Sequence, residues 1–262
     1  MGAKSYRTTH YTSNRFSELI NGFTHYQFDD IAPIQLYPEG HFELILQLES
    51  DFLHNTPSTD QWESRPQQFI GGLHNQAYSI RPACKNASLI SIVFKPESAK
   101  YFIPEKLNAF KNKVVDVADV FTRAELELVK RVDADATLTS SITNLENFLE
   151  RVFRNKTFSP IDKVLGTITK NKEALSVSEL AKSVNLSDAQ FRKRFGEEVG
   201  MSPKEYQKII RFDRIAKLLQ TTTPVNLTDL AYENGYYDQA HFIHDFRSIT
   251  GVSPKKYGIA FE

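Results

Sequence analysis

The sequence predicts an α+β protein of two domains. A small β-barrel or sandwich with trailing helices comes first, and an all-α domain of two similar helical units joined by a long helix follows. Apolar residues alternate with period two in residues 1–158, as in half-buried strands. In residues 159–262 they recur every three or four positions behind repeated capping signals, as in helices. The 262 residues suit two ordinary domains, 1–158 and 159–262.

Short strands are predicted in the first domain because apolar and polar residues alternate between turn signals. From Phe42 to Leu48 every second residue is apolar, which gives a strand one buried face. Strands are expected at residues 42–48, 69–73, 76–80 and 89–94. Two helices should follow at residues 122–131 and 139–153. The second has an apolar stripe that is expected to lie in the core, with a contact between two copies of the chain as the alternative.

Six helices are predicted in the second domain, because Ser, Asn or Asp caps recur at helix starts, most of them three residues before an acid or glutamine. The caps are Ser159, Ser176, Ser187, Ser202, Asn226 and Asp238. The fourth helix is the long connection and ends before the Thr-Thr-Thr-Pro sequence at residues 221–224. In the third helix, Phe191, Phe195 and Val199 recur at the spacing of one inward face.

The second domain contains an internal repeat with an offset of 50 residues at its start and 51 later. Leu180-Ala181, Phe195, Gly200-Met-Ser-Pro203 and Tyr206 recur as Leu230-Ala231, Phe246, Gly251-Val-Ser-Pro254 and Tyr257. Each copy consists of a short helix, a tight turn and a second helix with two phenylalanines four residues apart. This is the helix-turn-helix layout.

Each second helix exposes polar residues opposite its phenylalanines. In the first copy these include Gln190, Arg192 and Lys193. Such side chains can pair with base edges in the major groove of double-stranded DNA. The alternative for the basic triplet at residues 192–194 is an ordinary solvated helix face, but the repetition of an exposed polar face favours DNA binding.

The stretches SVSELAKSVNLSDAQFRKRFGEEVGMSPKEYQKIIRFDRIAKLL and NLTDLAYENGYYDQAHFIHDFRSITGVSPKKY resemble the DNA-binding domain of the AraC/XylS family of transcription regulators. The resemblance implies a sequence-specific regulator, with RNA polymerase and a second copy of the chain as candidate partners. The family's base-reading positions correspond to Ala189, Gln190, Arg192 and Lys193 in the first copy and to Gln239, Ala240, His241, Ile243 and His244 in the second. His244 stands where many members carry Arg, so a smaller share of base reading is expected from the second copy.

The phrases LYPEGHFELILQL, FIGGLHNQAYSI and LISIVFKPESAKYFI resemble a cupin-like sensor domain that precedes the same DNA-binding domain in some family members. This resemblance implies a β-barrel with a cavity for a small-molecule effector. The alternative is a cupin-like metal enzyme fused to a DNA-binding module, for which His41, Glu43 and His74 are the nearest ligands. His41 and Glu43 should share one strand face while Phe42 points the other way, but the closely spaced histidine pair of such metal centres is missing. No metal and no cofactor are therefore expected.

Composition excludes several other classes. Lys plus Arg and Asp plus Glu are both 32, which argues against indiscriminate coating of nucleic acid. The single Cys84 cannot form an internal disulfide or supply a thiolate cluster, and a nucleophilic pair with His74 is disfavoured because Cys84 lies in a predicted loop. No signal peptide, membrane segment or phosphate-binding glycine loop is recognisable, so a cytoplasmic, non-catalytic protein without a membrane partner is expected.

Overall fold

The computed structural model describes residues 6–48, 50–55, 61–129, 137–221 and 226–259. Its N-terminal part consists of two antiparallel sheets that face each other. The strands are β1 (Tyr6–Tyr11), β2 (Ile20–Phe28), β3 (Ile34–Leu36), β4 (Glu43–Gln47), β5 (Phe52–Asn55), β6 (Glu63–Ser64), β7 (Gln68–Gly71), β8 (Tyr78–Pro82), β9 (Ala87–Phe94) and β10 (Val114–Asp116). One sheet has the order β1-β2-β9-β4-β7-β10 and the other β3-β8-β5-β6. Phe28 and Leu89 of the first sheet pack with Phe52 and Ile80 of the second.

The alternation in β4 separates the outside of the barrel from its interior. Leu44 and Leu46 are 1% exposed and lie, with Phe42, in the core beneath the helices that cover the six-stranded sheet. Their neighbours Glu43, Ile45 and Gln47 face the space between the two sheets. The predicted apolar stripe is therefore confirmed, and it contacts the covering helices rather than the barrel interior.

Two helices cover this outer face. Helix α1 spans Arg123–Val129 and α2 spans Leu138–Val152, close to the predicted ranges. The predicted end at Arg131 lies outside the described residues. Leu145, Phe148 and Leu149 of α2 are at most 1% exposed, so the core position predicted for the stripe is confirmed. Those three side chains are used within the chain and leave little apolar surface for a second copy.

In the described residues from 159 onward there are seven helices. They are α3 (Pro160–Lys170), α4 (Val177–Lys182), α5 (Asp188–Val199), α6 (Pro203–Thr221), α7 (Leu227–Glu233), α8 (Gln239–Thr250) and α9 (Pro254–Ile259). Ser159, Ser176 and Ser187 form complete capping boxes, as predicted. The sequence reasoning missed α9, although Ser253-Pro254 repeats the Ser202-Pro203 signal before α6. Within the described ranges, no helix has the length and apolar character needed to cross a bilayer.

The two helical units have different cores. Phe191, Phe195 and Tyr206 of the first unit belong to one continuous apolar cluster with the six-stranded sheet and α2. Phe242 and Phe246 of the second unit lie in a separate cluster with α6 and α9. The first unit is thus packed directly onto the barrel, and the boundary between residues 158 and 159 stays a prediction.

Gly200 brings α5 close to the barrel. It ends α5 with φ of 102°, in the left-handed region that glycine tolerates best. A Cβ atom at this position would lie 2.9 Å from two ring carbons of Phe42. Gly251 ends α8 with φ of 77°, but a Cβ atom there would have no neighbour within 4 Å. The same turn is therefore tightly packed in the first unit and open in the second.

We expect Gly200→Ala to destabilise the chain more than Gly251→Ala. Both variants incur a left-handed backbone cost of roughly 1–2 kcal/mol, and only the first adds a clash with Phe42. Urea unfolding of a double-mutant cycle with Phe42→Leu measures the clash, since the shorter side chain relieves it. A coupling of about 0.5–3 kcal/mol is expected between Gly200→Ala and Phe42→Leu, and none between Gly251→Ala and Phe42→Leu. Additive losses in both cycles would contradict the packing described here.

Candidate nucleic-acid interface and barrel cavity

Helix α5 has the exposed face that the sequence predicts for the first reading helix. Phe191 and Phe195 are fully buried. The opposite face is exposed and carries Ala189, Gln190, Arg192 and Lys193. Arg194 is half-buried and pairs with Glu198 at 3.4 Å, so its charge is directed along the helix. The free basic surface of α5 thus consists of Arg192 and Lys193.

Helix α8 has the corresponding arrangement with a weaker charge. Phe242 and Phe246 are buried. The residues predicted to read DNA are exposed or half-buried and are Gln239, Ala240, His241, Ile243 and His244. Asp238 caps the helix by accepting a hydrogen bond from the His241 N–H. Both units therefore present one helix face to solvent, and the first face carries the stronger permanent positive charge.

A buried acidic residue attaches α8 to α6. Asp245 lies 2.9 Å from Lys208 Nζ and 3.4 Å from Arg211 Nη2. Arg211 also packs over the ring of Tyr236 at 4.0 Å, and burial raises the pKa of this tyrosine to about 12. His241 lies 3.7 Å from Asp245 on the solvent side. These contacts hold α8 against the long helix α6.

The two sheets enclose a cavity of about 210 Å³. Much of its wall is aromatic, from Tyr6, Tyr26, Phe28, Phe52, Phe69 and Tyr78. Its polar side chains include Glu39, His41, Glu43, Arg65, His74 and Ser91. Such a cavity, apolar with a few polar groups in fixed positions, is typical of small-molecule sites.

His41 lies between two carboxylates at one end of this cavity. Its Nε2 is 3.0 Å from Glu43 Oε1 and 3.1 Å from Glu39 Oε2. Burial opposes the charged imidazole, but the hydrogen bond to Glu43 and both nearby carboxylates raise the pKa of His41 overall. Burial would likewise raise the pKa of Glu43, yet hydrogen bonds with His41 and Ser91 lower it. The imidazole of His41 and the carboxylate of Glu43 thus stabilise each other's charged forms against the cost of burial.

The same three residues place potential metal ligands within 4.8 Å of one another. His41 and Glu43 converge, as their strand spacing predicts, while Phe42 lies in the outer core. His74 lines the same cavity but does not belong to this ligand group. The expectation of no metal stays a prediction.

Arg65 and His74 are the other polar groups of interest in the cavity. Arg65 is 6% exposed and lies near the rings of Phe69 and Tyr78, with distances of 5.0 Å and 5.1 Å to the ring centroids. Burial, together with the charge of Arg65, lowers the pKa of His74 to about 4. His74 is therefore neutral at pH 7, and arginine keeps its charge.

Sequence comparisons with known proteins match both parts of the chain. Residues 180–258 match the model of a helix-turn-helix domain family. Residues 9–116 match the model of a domain of unknown function (DUF6597). An uncharacterised helix-turn-helix transcriptional regulator of Staphylococcus aureus is 36% identical over 85 residues, or 32% of this chain and 11% of that protein. The transcriptional regulator MtrA of Neisseria gonorrhoeae is 32% identical over 101 residues, or 37% of this chain and 33% of MtrA. The chain carries an AraC-type helix-turn-helix domain.

The solved structure of ToxT from Vibrio cholerae resembles the whole chain. It has a TM-score of 0.52 and 11% identity over 98% of both chains. ToxT bound to (E)-4-(8-methylnaphthalen-1-yl)but-3-enoic acid has a TM-score of 0.50, with 99% of this chain and all of ToxT covered. The likeness confirms the predicted fold, an N-terminal β domain followed by a helical domain. This chain spans only 11% of the staphylococcal regulator's length.

In the AraC-type domain, Gln190 has a structural role beside the predicted one. Its Oε1 accepts hydrogen bonds from the N–H and the hydroxyl of Ser187, both at 3.1 Å. A glutamine that pairs with adenine uses its carbonyl oxygen and its amide nitrogen together. Pairing of Gln190 with adenine would therefore compete with the capping box of α5.

Several residues near the interface were missed by sequence reasoning. Tyr237 is 88% exposed and directly precedes the cap of α8. Asp245 is buried in the middle of α8, and its signal was a polar residue at a position of the inner helix face. Gly235 has φ of 72°, and a Cβ atom there would lie 2.7 Å from Glu173 Cα. The Gly-Tyr sequence before α8 thus allows a close approach of two backbones.

The cavity wall contacts both units of the AraC-type domain. Tyr37, a lining residue, packs edge-on against Tyr257 at 4.9 Å and lies 6.1 Å from Phe212. Tyr206 of α6 donates a hydrogen bond to the Gly40 carbonyl at 3.3 Å. Next to Tyr37, at the start of the paired strand β8, the Ala77 N–H donates to the Ile249 carbonyl of α8 at 2.8 Å. Changes in the cavity can therefore reach α6 and α8 by direct contact.

Proposed function

We propose that this chain is a sequence-specific DNA-binding transcription regulator whose barrel responds to a small molecule. The observation that carries the proposal is the pair of helices, α5 and α8, that turn their phenylalanines inward and an exposed face outward. A helix of this kind fits the major groove of B-DNA. Two such helices on one chain can read two successive groove segments.

In the first unit, Arg192 and Lys193 would supply direct readout of guanine or contacts to phosphate. Ala189 is suited to an apolar contact with a thymine methyl group. In the second unit the proposed contacts are Gln239, Ala240, His241, Ile243 and His244. The second unit should discriminate less among bases, because it offers histidines where the first offers Arg and Lys.

The barrel supports the sensing half of the proposal. Its cavity is bounded by Tyr37 and by the segment around His74, and both regions contact the AraC-type domain. A ligand that fits only one arrangement of these walls would favour that arrangement of α6 and α8. ToxT, which shares the fold, has been solved with an organic acid bound. Homodimerisation and contact with RNA polymerase stay predictions from the family resemblance.

We further propose that the chain is not an enzyme. The competing function, metal chemistry in the barrel, is favoured by the ligand group Glu39, His41 and Glu43. Three carboxylate and imidazole donors suit zinc or manganese. Metal analysis of the purified full chain, followed by titration with zinc, tests the metal site that this alternative requires. Stoichiometric metal that is lost in Glu43→Gln and retained in Glu63→Gln would contradict the expectation of no metal and favour the metal-enzyme alternative.

Selection of bound fragments from genomic DNA by the full chain tests DNA reading. We expect enrichment of a defined site with two separated half-sites, because two reading helices lie on one chain. Recovery of fragments without a common sequence would contradict sequence-specific regulation. The selected site then serves as the substrate for the variants below.

Arg192→Ala and Lys193→Ala should each weaken binding to the selected site. The expected loss is about 1–3 kcal/mol for a residue that contacts a base edge, and base preference should relax at one position. A residue that contacts only phosphate should weaken binding to all sequences and lower the salt slope by about one. Titrations at several salt concentrations separate the two roles. Arg194→Ala is the control, because its charge pairs with Glu198 within the helix. Unchanged affinity in both test variants would remove α5 as the reading helix.

A further inference from the structure

Arg65 is a buried charged residue whose backbone is hydrogen-bonded to neighbouring segments of the cavity wall. It follows β6, its N–H donates to the Phe52 carbonyl at 3.1 Å, and its carbonyl accepts from Gln47 Nε2 at 3.3 Å. The side chain is 6% exposed and lines the cavity. The rings of Phe69 and Tyr78 lie near the guanidinium and stabilise its charge without neutralising it.

Two donors of this guanidinium are unsatisfied. Nε and Nη2 of Arg65 are buried and have no hydrogen-bond partner in the described part of the chain. The nearby carboxylate of Glu43 is already used, since Oε1 pairs with His41 at 3.0 Å and Oε2 accepts from Ser91 at 2.9 Å. The guanidinium does donate a hydrogen bond to the Tyr78 hydroxyl. Burying a donor without a hydrogen bond is costly, so a partner for Nε and Nη2 would stabilise the fold.

The position of the two donors specifies the chemistry of a partner. Nε and Nη2 lie on the same edge of the planar guanidinium, and their N–H bonds are parallel. A carboxylate accepts both bonds at once, whereas an amine or ammonium group cannot accept either in this way. His74 Nε2 is also buried without a partner among the described residues, and the neutral ring can add a further hydrogen bond.

The rest of the cavity limits the size and charge of such a ligand. Its volume of about 210 Å³ lies below the roughly 300–1,000 Å³ of sites for drug-sized molecules. Tyr26, Phe28 and Phe52 offer apolar surface for a flat or short aliphatic body. Glu39 and Glu43 line the same cavity, so a ligand with a single negative charge is favoured over a phosphate dianion.

We infer that the barrel cavity binds a small monocarboxylate, with an aromatic or aliphatic body among the barrel rings and the carboxylate on the Nε–Nη2 edge of Arg65, which is covered in this structure and turns toward the cavity on binding. This assignment deepens the proposed function, on which it rests, by naming the chemical class of the effector. Arg65 is the specificity-determining residue for the acid group.

The test is calorimetric titration of the full chain with benzoate, phenylacetate and hexanoate, each paired with its primary amide. The amides have nearly the same shape and lack the charge. We expect at least one acid to bind and its amide to bind about tenfold more weakly or not at all. Inorganic phosphate is a separate probe and should not bind. Binding by none of the acids, equal binding of an acid and its amide, or binding of phosphate alone would overturn the inference.

Arg65→Gln should lose about tenfold or more in affinity for the acid that binds, because it removes both the charge and the paired donors. Arg81→Gln is the matched control, since Arg81 also packs over an aromatic ring, Trp62 at 4.7 Å, but does not line the cavity. Its affinity should equal that of the parent. Circular dichroism checks that both variants fold, and if Arg65→Gln does not fold, the acid and amide pair in the parent decides. Retained affinity in folded Arg65→Gln would contradict the assignment.

DNA binding distinguishes this inference from the proposed function. If an acid binds through Arg65 but leaves affinity for the selected DNA site unchanged, the ligand site stands and its effector role fails. If the chain selects no DNA site, the proposed function fails whatever the titration shows. If DNA reading is intact and no acid binds, only the assignment of the ligand class fails.

Discussion

Phe195→Ala and Phe246→Ala should each lower the free energy of unfolding by about 3–5 kcal/mol and reduce DNA binding without removing a DNA contact. Phe195 is fully buried and packs against Phe191 at 5.6 Å and Tyr206 at 5.7 Å. Phe246 is 2% exposed, and its ring lies 5.2 Å from those of both Phe212 and Tyr257. Each ring packs a proposed reading helix against its unit.

The two variants should differ in how far the damage spreads. Phe195 shares a continuous core with the barrel, whereas Phe246 lies in the separate core of the second unit. Far-UV circular dichroism reports the helices, and fluorescence of the single Trp62 reports the barrel. Phe195→Ala should shift both urea transitions, and Phe246→Ala should shift the helical signal more than the tryptophan signal.

Phe158→Ala provides the control for this comparison. Phe158 is 74% exposed, so the same substitution should change stability by less than about 0.5 kcal/mol. Fluorescence anisotropy with the selected DNA site measures binding in the three variants. A Phe246→Ala protein that loses binding while keeping the parent's stability would show that the ring is not an anchor, and the assignment of the reading face would be wrong.

The helical half was predictable because its signals are local. Caps such as Ser176 and Ser187 lie three residues before the partner that completes each box, so sequence spacing nearly determines the geometry. The exposed face of α5 follows from the positions of Phe191 and Phe195 in the same way. Because the domain contains an internal repeat, the same capping and phenylalanine pattern occurs twice in the sequence.

The barrel was only partly predictable because its strands depend on distant neighbours. The edge strand β1 has an exposed, mostly polar sequence, and β2 breaks its register between Ile20 and Gly22, so neither shows clean alternation. Strands β3, β5 and β10 have only three or four residues each. A period of two has little meaning over so short a length.

The cavity shows the same limit for individual residues. Arg65 stands between Ser64 and Pro66 in a polar stretch that reads as a surface turn. It becomes a buried charge only because Phe69 and Tyr78 lie near it in the fold. By contrast, the convergence of His41 and Glu43 could be predicted, since two residues on one strand face are neighbours by geometry. Glu39 joins them through the loop before β4, which no spacing rule indicates.

Lys100→Met should lower the free energy of unfolding by about 3–5 kcal/mol, the usual cost of removing one partner from a buried ion pair. Lys100 contacts Asp162 of α3 and lies 2.8 Å from Glu198 of α5, and all three side chains are at most 19% exposed. Tyr101 adds a hydrogen bond to Asp162 at 3.2 Å. The variant removes the cation that Asp162 and Glu198 share at the contact between the barrel and α5. Glu198 keeps Arg194 at 3.4 Å, whereas Asp162 keeps the Tyr101 hydroxyl and the Ser159 N–H.

Lys106→Met is the matched control for this prediction. Lys106 pairs at 2.7 Å with Glu197, which lies on α5 next to Glu198. The Lys106 side chain, however, is 64% exposed. A solvent-exposed ion pair contributes little and is screened by salt, so this variant should lose much less stability. Urea unfolding at low and high salt compares the two, and the loss in Lys100→Met should persist in salt. Adding Asp162→Asn and Glu198→Gln to Lys100→Met should recover part of the loss, since the buried carboxylates are then neutral. Equal losses in Lys100→Met and Lys106→Met would show that the contact between the barrel and α5 depends on packing around Gly200 rather than on this buried cation.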